Sequence, residues 1–238
     1  MKKVIRLFVA GMILSASTTA EAQESSVDVT VAADVVSQYI WRGQDLGDVS
    51  LQPTLGVEYR GLSLTAWGSV GLSNYQDTKE FDLTLAYAKG GFNVGVTDYW
   101  FNAGLDEQNR YFMYKSHNTN HVFEFNVGYD FGPVNLQWYT NFAGNDAYTE
   151  SGKRAYSSYF AVSAPFKLGG IDWTATGGIV PYATDFYGTS GFAVTNIALR
   201  ATKDIKVTDS FSIPLFGEVS ANPRTEKAYF VFGFTLQP

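Results

Sequence analysis

Apolar and polar residues alternate with a period of two along most of this 238-residue chain. In the first such stretch, residues 27–35, valine or alanine at the odd positions alternates with Asp28, Thr30, Ala32 and Asp34. A period of two places successive side chains on opposite faces of a β-strand, so the stretch predicts a strand with one apolar and one polar face. The same alternation predicts twelve strands, at residues 26–42, 50–60, 62–73, 80–89, 91–101, 121–131, 133–143, 154–167, 170–182, 191–203, 210–221 and 227–237.

The predicted strands are long. Each has ten residues or more, whereas strands of globular proteins most often have about 5–6 residues and a tilted strand that crosses a bilayer needs about 9–11. Twelve is also an even number, as in the single-chain outer-membrane barrels of bacteria. No run of about 18 apolar residues follows residue 22, which excludes a membrane protein built from helices. The expected fold class is therefore all-β: a twelve-stranded antiparallel transmembrane β-barrel with up-and-down meander connections.

The links between the predicted strands alternate in length. Those after the second, fourth, sixth and eighth strands are short and contain glycine: Arg60-Gly61, Lys89-Gly90-Gly91, Gly132-Pro133 and residues 167–170. Those after the odd-numbered strands are mostly longer and polar, the longest being residues 102–120 and 144–153. Short periplasmic turns and long external loops are typical of outer-membrane barrels. A soluble β-sandwich has no reason to alternate in this way, although the link at residues 204–209 departs from the rule.

The two faces of the predicted strands differ in chemistry. One face carries large apolar side chains: Phe81, Leu83, Leu85, Tyr87, Phe123, Phe125, Val127, Tyr129, Phe131, Val134, Leu136, Trp138, Phe230, Phe232, Phe234 and Leu236. The other face is polar: Asp82, Thr84, Glu124, Asn126, Asn135, Gln137, Asn141, Ser157 and Ser163. A soluble jelly roll or lectin with a thick aromatic core is the alternative, but a polar inner face favours a barrel with a lumen and a lipid-facing outer wall.

The composition narrows the function classes. The chain is 45% hydrophobic, 16% aromatic and 17% charged, which excludes intrinsic disorder. It has no cysteine, so a disulfide scaffold, a thiol enzyme and an iron–sulfur protein are excluded. With 17 basic and 23 acidic residues, nucleic-acid binding is not expected. Since His117 and His121 lie in or beside the link at residues 102–120, we expect them to be solvated, and we predict no enzyme activity, catalytic residue, cofactor or metal site.

The first 22 residues have the features of a secretory signal peptide. They combine a basic start, a short apolar run and small cleavage residues: Lys2, Lys3, Arg6, residues 7–14 and Ala20-Glu21-Ala22. We expect cleavage before Gln23, which leaves residues 23–238 as one barrel domain; a buried N-terminal helix is the alternative. The expected location is the outer membrane of a Gram-negative bacterium, with the barrel-assembly machinery as a partner during biogenesis.

The start of the predicted barrel resembles a known family. Four motifs carry the resemblance: Ser37-Gln38-Tyr39-Ile40-Trp41-Arg42-Gly43, Gln52-Pro53, Gly61-Leu62-Ser63 and Ala66-Trp67-Gly68-Ser69. They resemble the opening of the TorF-type family of outer-membrane porins, most clearly over residues 26–73, with looser similarity at residues 97–100 and Glu124. The resemblance implies an outer-membrane β-barrel with a porin role. The chain departs from many outer-membrane proteins by ending in Gln237-Pro238 rather than in phenylalanine.

Six residues of the polar face are candidates for lining a lumen and setting its selectivity: Arg42, Asp34, Asp82, Glu124, Glu218 and Trp67. Charged groups in a narrow passage focus the field that an ion experiences, and carboxylates outnumber arginines on this face, which predicts a weak cation preference. Two alternatives stay open for single residues. Carboxylates could tie Arg42 into a network that blocks the lumen, and Trp67 could stack on a planar solute or only fill space. The link at residues 102–120 could extend above the barrel as a hairpin, which we prefer, or fold into the pore.

These features predict a porin-like channel for passive diffusion of small cationic or neutral solutes. Its expected partners are outer-membrane lipid and the diffusing solutes. Two other classes are kept beside it: a structural or surface-interaction barrel with a blocked lumen, and a lipid-modifying barrel enzyme.

Overall fold

The computed structural model describes residues 27–74, 76–102, 110–115, 118–149, 151–209 and 211–238. Within these residues, twelve strands close a β-barrel and two further strands form a separate hairpin. In chain order the strands are β1 (Asp28–Val36), β2 (Tyr39–Trp41), β3 (Gln44–Gly47), β4 (Ser50–Tyr59), β5 (Leu62–Gly71), β6 (Lys79–Lys89), β7 (Phe92–Asn102), β8 (His121–Asp130), β9 (Asn135–Gly144), β10 (Ser158–Leu168), β11 (Ile171–Val180), β12 (Ala193–Lys206), β13 (Ser212–Asn222) and β14 (Lys227–Leu236). The predicted signal peptide, residues 1–22, lies outside the described residues.

The barrel is an antiparallel meander. Each barrel strand pairs with the next in sequence, β1 pairing with β4 past the hairpin of β2 and β3. The last strand closes the barrel by pairing with β1, where Ala33 lies opposite Leu236 and Val36 lies opposite Gly233. The predicted twelve-stranded antiparallel up-and-down barrel is confirmed. None of the helices in the described part of the chain is long and apolar enough to span a membrane.

The first predicted strand, residues 26–42, is wrong beyond Val36. β1 ends there, and the chain goes on to form the short hairpin of β2 and β3. The hairpin reverses direction at Arg42 and Gly43, whose φ angles of 52° and 80° lie in the left-handed region that an extended strand does not enter. We call this element, residues 39–47, the lumen hairpin.

The outer wall of the barrel is apolar and exposed. On β14, Phe230 and Phe232 are 68% and 50% exposed, whereas Val231 between them is 6% exposed. The same pattern exposes outward-facing side chains on the other strands: Val29, Val31, Leu55, Val57, Leu62, Leu64, Leu85, Val96, Phe125, Trp138, Phe142, Val162, Phe166, Ile197 and Val219. An exposed apolar surface of this extent is far larger than soluble monomers carry.

The inner wall is polar and densely packed. Several of its amides and hydroxyls are buried: Gln52, Asn93, Asn126, Asn135, Gln137 and Ser163. Glycines on this wall make room for large side chains: Gly128 for Gln137, Gly178 for Tyr159 and Gly233 for Phe216. Because side chains that line a wide aqueous pore stay accessible to water, the lumen in this conformation is largely filled.

Candidate functional site

The lumen hairpin is fixed to three strands of the barrel wall. A β-carbon on Gly43 would collide with the backbone carbonyl oxygen of Thr195 on β12. The amide nitrogen of Asn222 on β13 donates to the backbone oxygen of Gly43 at 3.0 Å. The hydroxyl of Tyr39 donates to Oε2 of Glu80 on β6 at 2.9 Å. These contacts place the turn of the hairpin inside the barrel.

At the turn of the hairpin, Arg42 binds a carboxylate on the opposite wall. Its Nη1 and Nη2 donate to Oε2 and Oε1 of Glu124 on β8 at 2.6 and 2.8 Å. Nη1 also donates to the hydroxyl of Tyr187 at 2.6 Å, and the hydroxyl of Tyr99 donates to Oε1 of Glu124 at 2.9 Å. The Arg42 and Glu124 side chains are 9% and 1% exposed. The structure therefore joins two of the predicted lumen residues in a buried ion pair with two hydrogen bonds. A tyrosine hydroxyl forms a further hydrogen bond to each partner.

Aromatic rings enclose the guanidinium of Arg42. Its central carbon lies 4.4 Å from the ring centre of Trp41, 4.0 Å from that of Tyr139 and 4.9 Å from that of Tyr159. The ring of Tyr187 stacks on Trp41 with centres 6.1 Å apart. Cation–π attraction adds to the ion pair where water is excluded. These four rings, which we call the cage, therefore stabilise Arg42 at this level of the lumen.

Tyr187 reaches the cage from the link between β11 and β12. A short 3-10 helix, Asp185–Tyr187, begins after Thr184, whose hydroxyl accepts from the backbone N–H of Phe186 at 3.2 Å. It ends at Gly188, which has a φ of 62°. Burial raises the pKa of the Tyr187 phenol, so the group stays neutral beside Arg42 at physiological pH.

Two carboxyl groups lie beside the hairpin on β6. Glu80 and Asp82 are 7% and 5% exposed, and their carboxyl groups share a hydrogen bond, which requires a proton on one of the two. Among the described residues, neither forms a salt bridge, and Oδ1 of Asp82 has no hydrogen-bond partner. Trp67, another predicted lumen residue, packs its ring 5.7 Å from that of Tyr39. Glu80 is not among the predicted lumen residues, because the predicted strand begins at that residue; its two-residue spacing from Asp82 is the available signal.

The remaining predicted lumen residues form a separate group near the β1–β14 seam. Nη1 of Arg200 lies 3.6 Å from Oε2 of Glu218, and its guanidinium carbon lies 3.6 Å from the ring centre of Phe216. The hydroxyl of Thr235 donates to Oδ1 of Asp34 at 2.6 Å. Since Arg200 balances Glu218 and Arg42 balances Glu124, the carboxyl pair of Glu80 and Asp82 keeps a negative charge that neither arginine offsets.

His121 is buried, and the expectation of a solvated side chain is wrong. Its Nδ1 lies 2.7 Å from Oδ1 of Asp98, and its Nε2 lies 2.6 Å from the backbone oxygen of Tyr111. Because both ring nitrogens are engaged, neither is available to activate a nucleophile. His117 lies outside the described residues. The part of the chain that the structure describes holds no group of three or more side chains that could bind a metal ion.

No protein-family model matches the chain, and no curated protein matches it. Solved structures of barrels are similar to it at low identity. An outer membrane channel from Pseudomonas putida F1 has a TM-score of 0.42 and 12% identity, with 92% of this chain and 98% of that chain covered. OmpF from Salmonella typhi, in complex with daunomycin, has a TM-score of 0.37 and 10% identity, with 90% and 98% covered. A loop-deletion mutant of OmpT, an outer membrane protein of Vibrio cholerae, has a TM-score of 0.31 and 10% identity, with 89% and 98% covered.

Proposed function

We propose that residues 23–238 form a channel in the outer membrane of a Gram-negative bacterium, after removal of residues 1–22 as a signal peptide. The exposed apolar outer wall supports this location, since such a wall is stable in lipid and costly in water. The porin role that the resemblance to the TorF-type family implies agrees with it. The channel is closed by the lumen hairpin, and the observation that carries this proposal is the ion pair between Arg42 and Glu124.

The chemistry of the inner wall supports a route for polar solutes once the lumen opens. Several buried polar side-chain atoms have no hydrogen-bond partner among the described residues: Asn93 Oδ1, Asn135 Oδ1 and Nδ2, Gln137 Oε1 and Nε2, Asn141 Oδ1 and Ser220 Oγ. Polar atoms left unpaired inside a protein cost about 1–3 kcal/mol each, so these groups require water. A wall whose polar groups are hydrated when the lumen opens suits a route for small polar solutes.

The element that closes the lumen is a loop rather than the wall. The lumen hairpin pairs only with itself as a sheet, β2 with β3, and meets the barrel through side chains and single backbone contacts. Its displacement leaves the ladders between the barrel strands intact. The lumen hairpin can therefore move and open the lumen without unfolding of the barrel, as segments of low local stability do in other gated proteins.

Breaking the ion pair tests this function. Arg42→Gln leaves Glu124 buried without its cation, a loss of about 3–5 kcal/mol for the closed arrangement. We expect liposomes that contain this variant to take up potassium about tenfold faster, or more, than liposomes that contain the wild type. Arg60→Gln is the control, because Arg60 is exposed in the short turn between β4 and β5. Equal uptake by the wild type and both variants would contradict a hairpin gate.

A barrel with a permanently blocked lumen is the second candidate function. It is favoured by the low exposure of inner side chains such as Glu124, at 1%, and Asn141, at 0%. The potassium experiment separates the two: a structural barrel stays impermeable when Arg42 is replaced, whereas a gated channel does not.

The open channel is expected to prefer cations weakly because of Glu80 and Asp82. Replacing them together, Glu80→Gln with Asp82→Asn, should bring the ratio of potassium to chloride permeability close to one. The reversal potential of many inserted barrels in a potassium chloride gradient measures this ratio. The control, Asp28→Asn with Glu58→Gln, also replaces two carboxyl groups, but at the far end of β1 and β4, where water and salt screen them. Anion selectivity of the wild type, or an equal effect of both pairs, would contradict the assignment.

A further inference from the structure

The segment of residues 110–115 lies against the outer wall of the barrel. The ring of Tyr111 packs edge-on against outward-facing Trp100, with centres 5.3 Å apart. The ring of Tyr114 stacks on His121 with centres 4.3 Å apart. For these residues both predicted paths, a hairpin above the barrel and a loop inside the pore, are wrong. The segment instead covers the lipid-facing side of β7 and β8.

A polar pair beneath the segment explains why it folds there. Asp98 lies two residues from exposed Val96 on the outer face of β7, and it bonds to His121 at 2.7 Å. Without the segment, this polar pair would face lipid and Nε2 of His121 would have lost its partner, at a cost of several kcal/mol. The carbonyl of Tyr111 gives Nε2 of His121 its second partner, and the aromatic rings exclude water. The side chains of His121 and Asp98 are then 0% and 15% exposed.

The outer surface of the segment combines apolar and basic side chains. Phe112 is 87% exposed and Tyr114 is 50% exposed, at the level where the outer wall meets the external loops. Arg110 and Lys115 are exposed at the two ends of the segment. A groove of about 600 Å³ is lined by Arg110, Tyr111, Phe112 and Met113. A ring as exposed as that of Phe112, beside an apolar wall, marks a surface that is covered in the membrane.

We propose that this segment binds a phosphorylated, acylated lipid of the outer leaflet, of the lipopolysaccharide class. Phe112, Met113 and Tyr114 contact an acyl chain, in continuity with the apolar outer wall. Arg110 and Lys115 pair with phosphate groups, which guanidinium and ammonium groups bind by charge-assisted hydrogen bonds. The position at the external rim and the paired cations favour this lipid over a zwitterionic phospholipid, whose amine offsets its phosphate. The proposal rests on the membrane location proposed above.

Lipid binding to the full chain, refolded in non-ionic detergent, tests the site. Native mass spectrometry with rough-type lipopolysaccharide measures bound lipid for the wild type, for Arg110→Gln with Lys115→Gln, and for Phe112→Ser. We expect the double variant to bind about tenfold more weakly, as the loss of charge-assisted contacts predicts. Phe112→Ser should weaken binding without changing charge. The substituted side chains are exposed, and the circular dichroism of each variant verifies that the barrel has folded.

The matched control is Arg224→Gln with Lys227→Gln, which removes two exposed cations, one in the link between β13 and β14 and one at the start of β14, at the same rim. Binding by this control should equal that of the wild type. An equal loss in the control, unchanged binding in both segment variants, or equal binding of phosphatidylethanolamine by the wild type would overturn the proposal. If the protein transports potassium but fails this test, only the proposed lipid site is refuted. If it binds the lipid but no variant transports potassium, only the proposed channel is refuted.

Discussion

Gly43→Val is expected to hold the lumen hairpin out of the barrel and to raise conductance. Gly43 has a φ of +80°, and its missing β-carbon is what lets the turn lie on the backbone oxygen of Thr195. A branched side chain there adds backbone strain and a collision with the main chain of Thr195, together about 1–3 kcal/mol. That cost shifts the balance between closed and open states by roughly 5–150-fold. Macroscopic conductance of planar bilayers, at equal amounts of inserted protein, measures the shift.

Gly90→Val is the control for backbone strain. Gly90 also has a positive φ, +58°, but a β-carbon there meets no atom within 4 Å. It lies in the turn between β6 and β7, far in sequence from the hairpin. Both variants should lose some stability, and only Gly43→Val should conduct more. The same conductance in both would show that the contact between Gly43 and Thr195 does not hold the channel closed.

Arginine on the outer wall is expected to destabilise the barrel in lipid far more than arginine on the inner wall. Leu85 on β6 is 54% exposed and faces outward. Leu85→Arg therefore places a charge among lipid chains near the middle of the strand, at a cost of about 2–4 kcal/mol. Thr84 is the neighbouring inward residue, and its hydroxyl lies 3.0 Å from that of Thr97. Thr84→Arg loses this contact but keeps its charge in a polar lumen.

The free energy of unfolding in phospholipid vesicles, from urea titrations, compares the two variants. Thr84 is the suitable inner position because it is half-buried, whereas Asn126 is 4% exposed in a packed lumen and arginine there would also overpack the wall. Equal destabilisation by Leu85→Arg and Thr84→Arg would contradict a lipid-facing outer wall and favour a soluble barrel.

The barrel strands could be predicted from the sequence because each has one apolar and one polar face over its whole length. The register of that alternation places Asp82, Glu124 and Glu218 inside, as the structure does. The lumen hairpin could not be predicted in the same way. Gln38, Tyr39, Trp41 and Arg42 keep the alternation of β1 although Ser37 and Ile40 break it, so the pattern favours one extended strand up to the reversal at Arg42.

The partners of Arg42 could not be predicted from the sequence for a different reason. Glu124 and Tyr187 are 82 and 145 positions away in the chain. Their meeting depends on the curvature of the closed barrel and on the path of two links, neither of which leaves a local pattern. His121 is similar, since its burial depends on where residues 110–115 fold. An arginine in an aromatic-rich motif next to glycine was the one local sign of the site.

Single-channel recording of the wild type and of Arg42→Gln in planar bilayers tests the hairpin gate most directly. We expect the wild type to be closed for most of the recording, with brief openings. We expect Arg42→Gln to be open for most of the recording at the same unit conductance, because the barrel wall is unchanged and only the closure is lost. A wild type that is continuously open, or an Arg42→Gln variant that never opens although it has inserted as a folded barrel, would contradict the account.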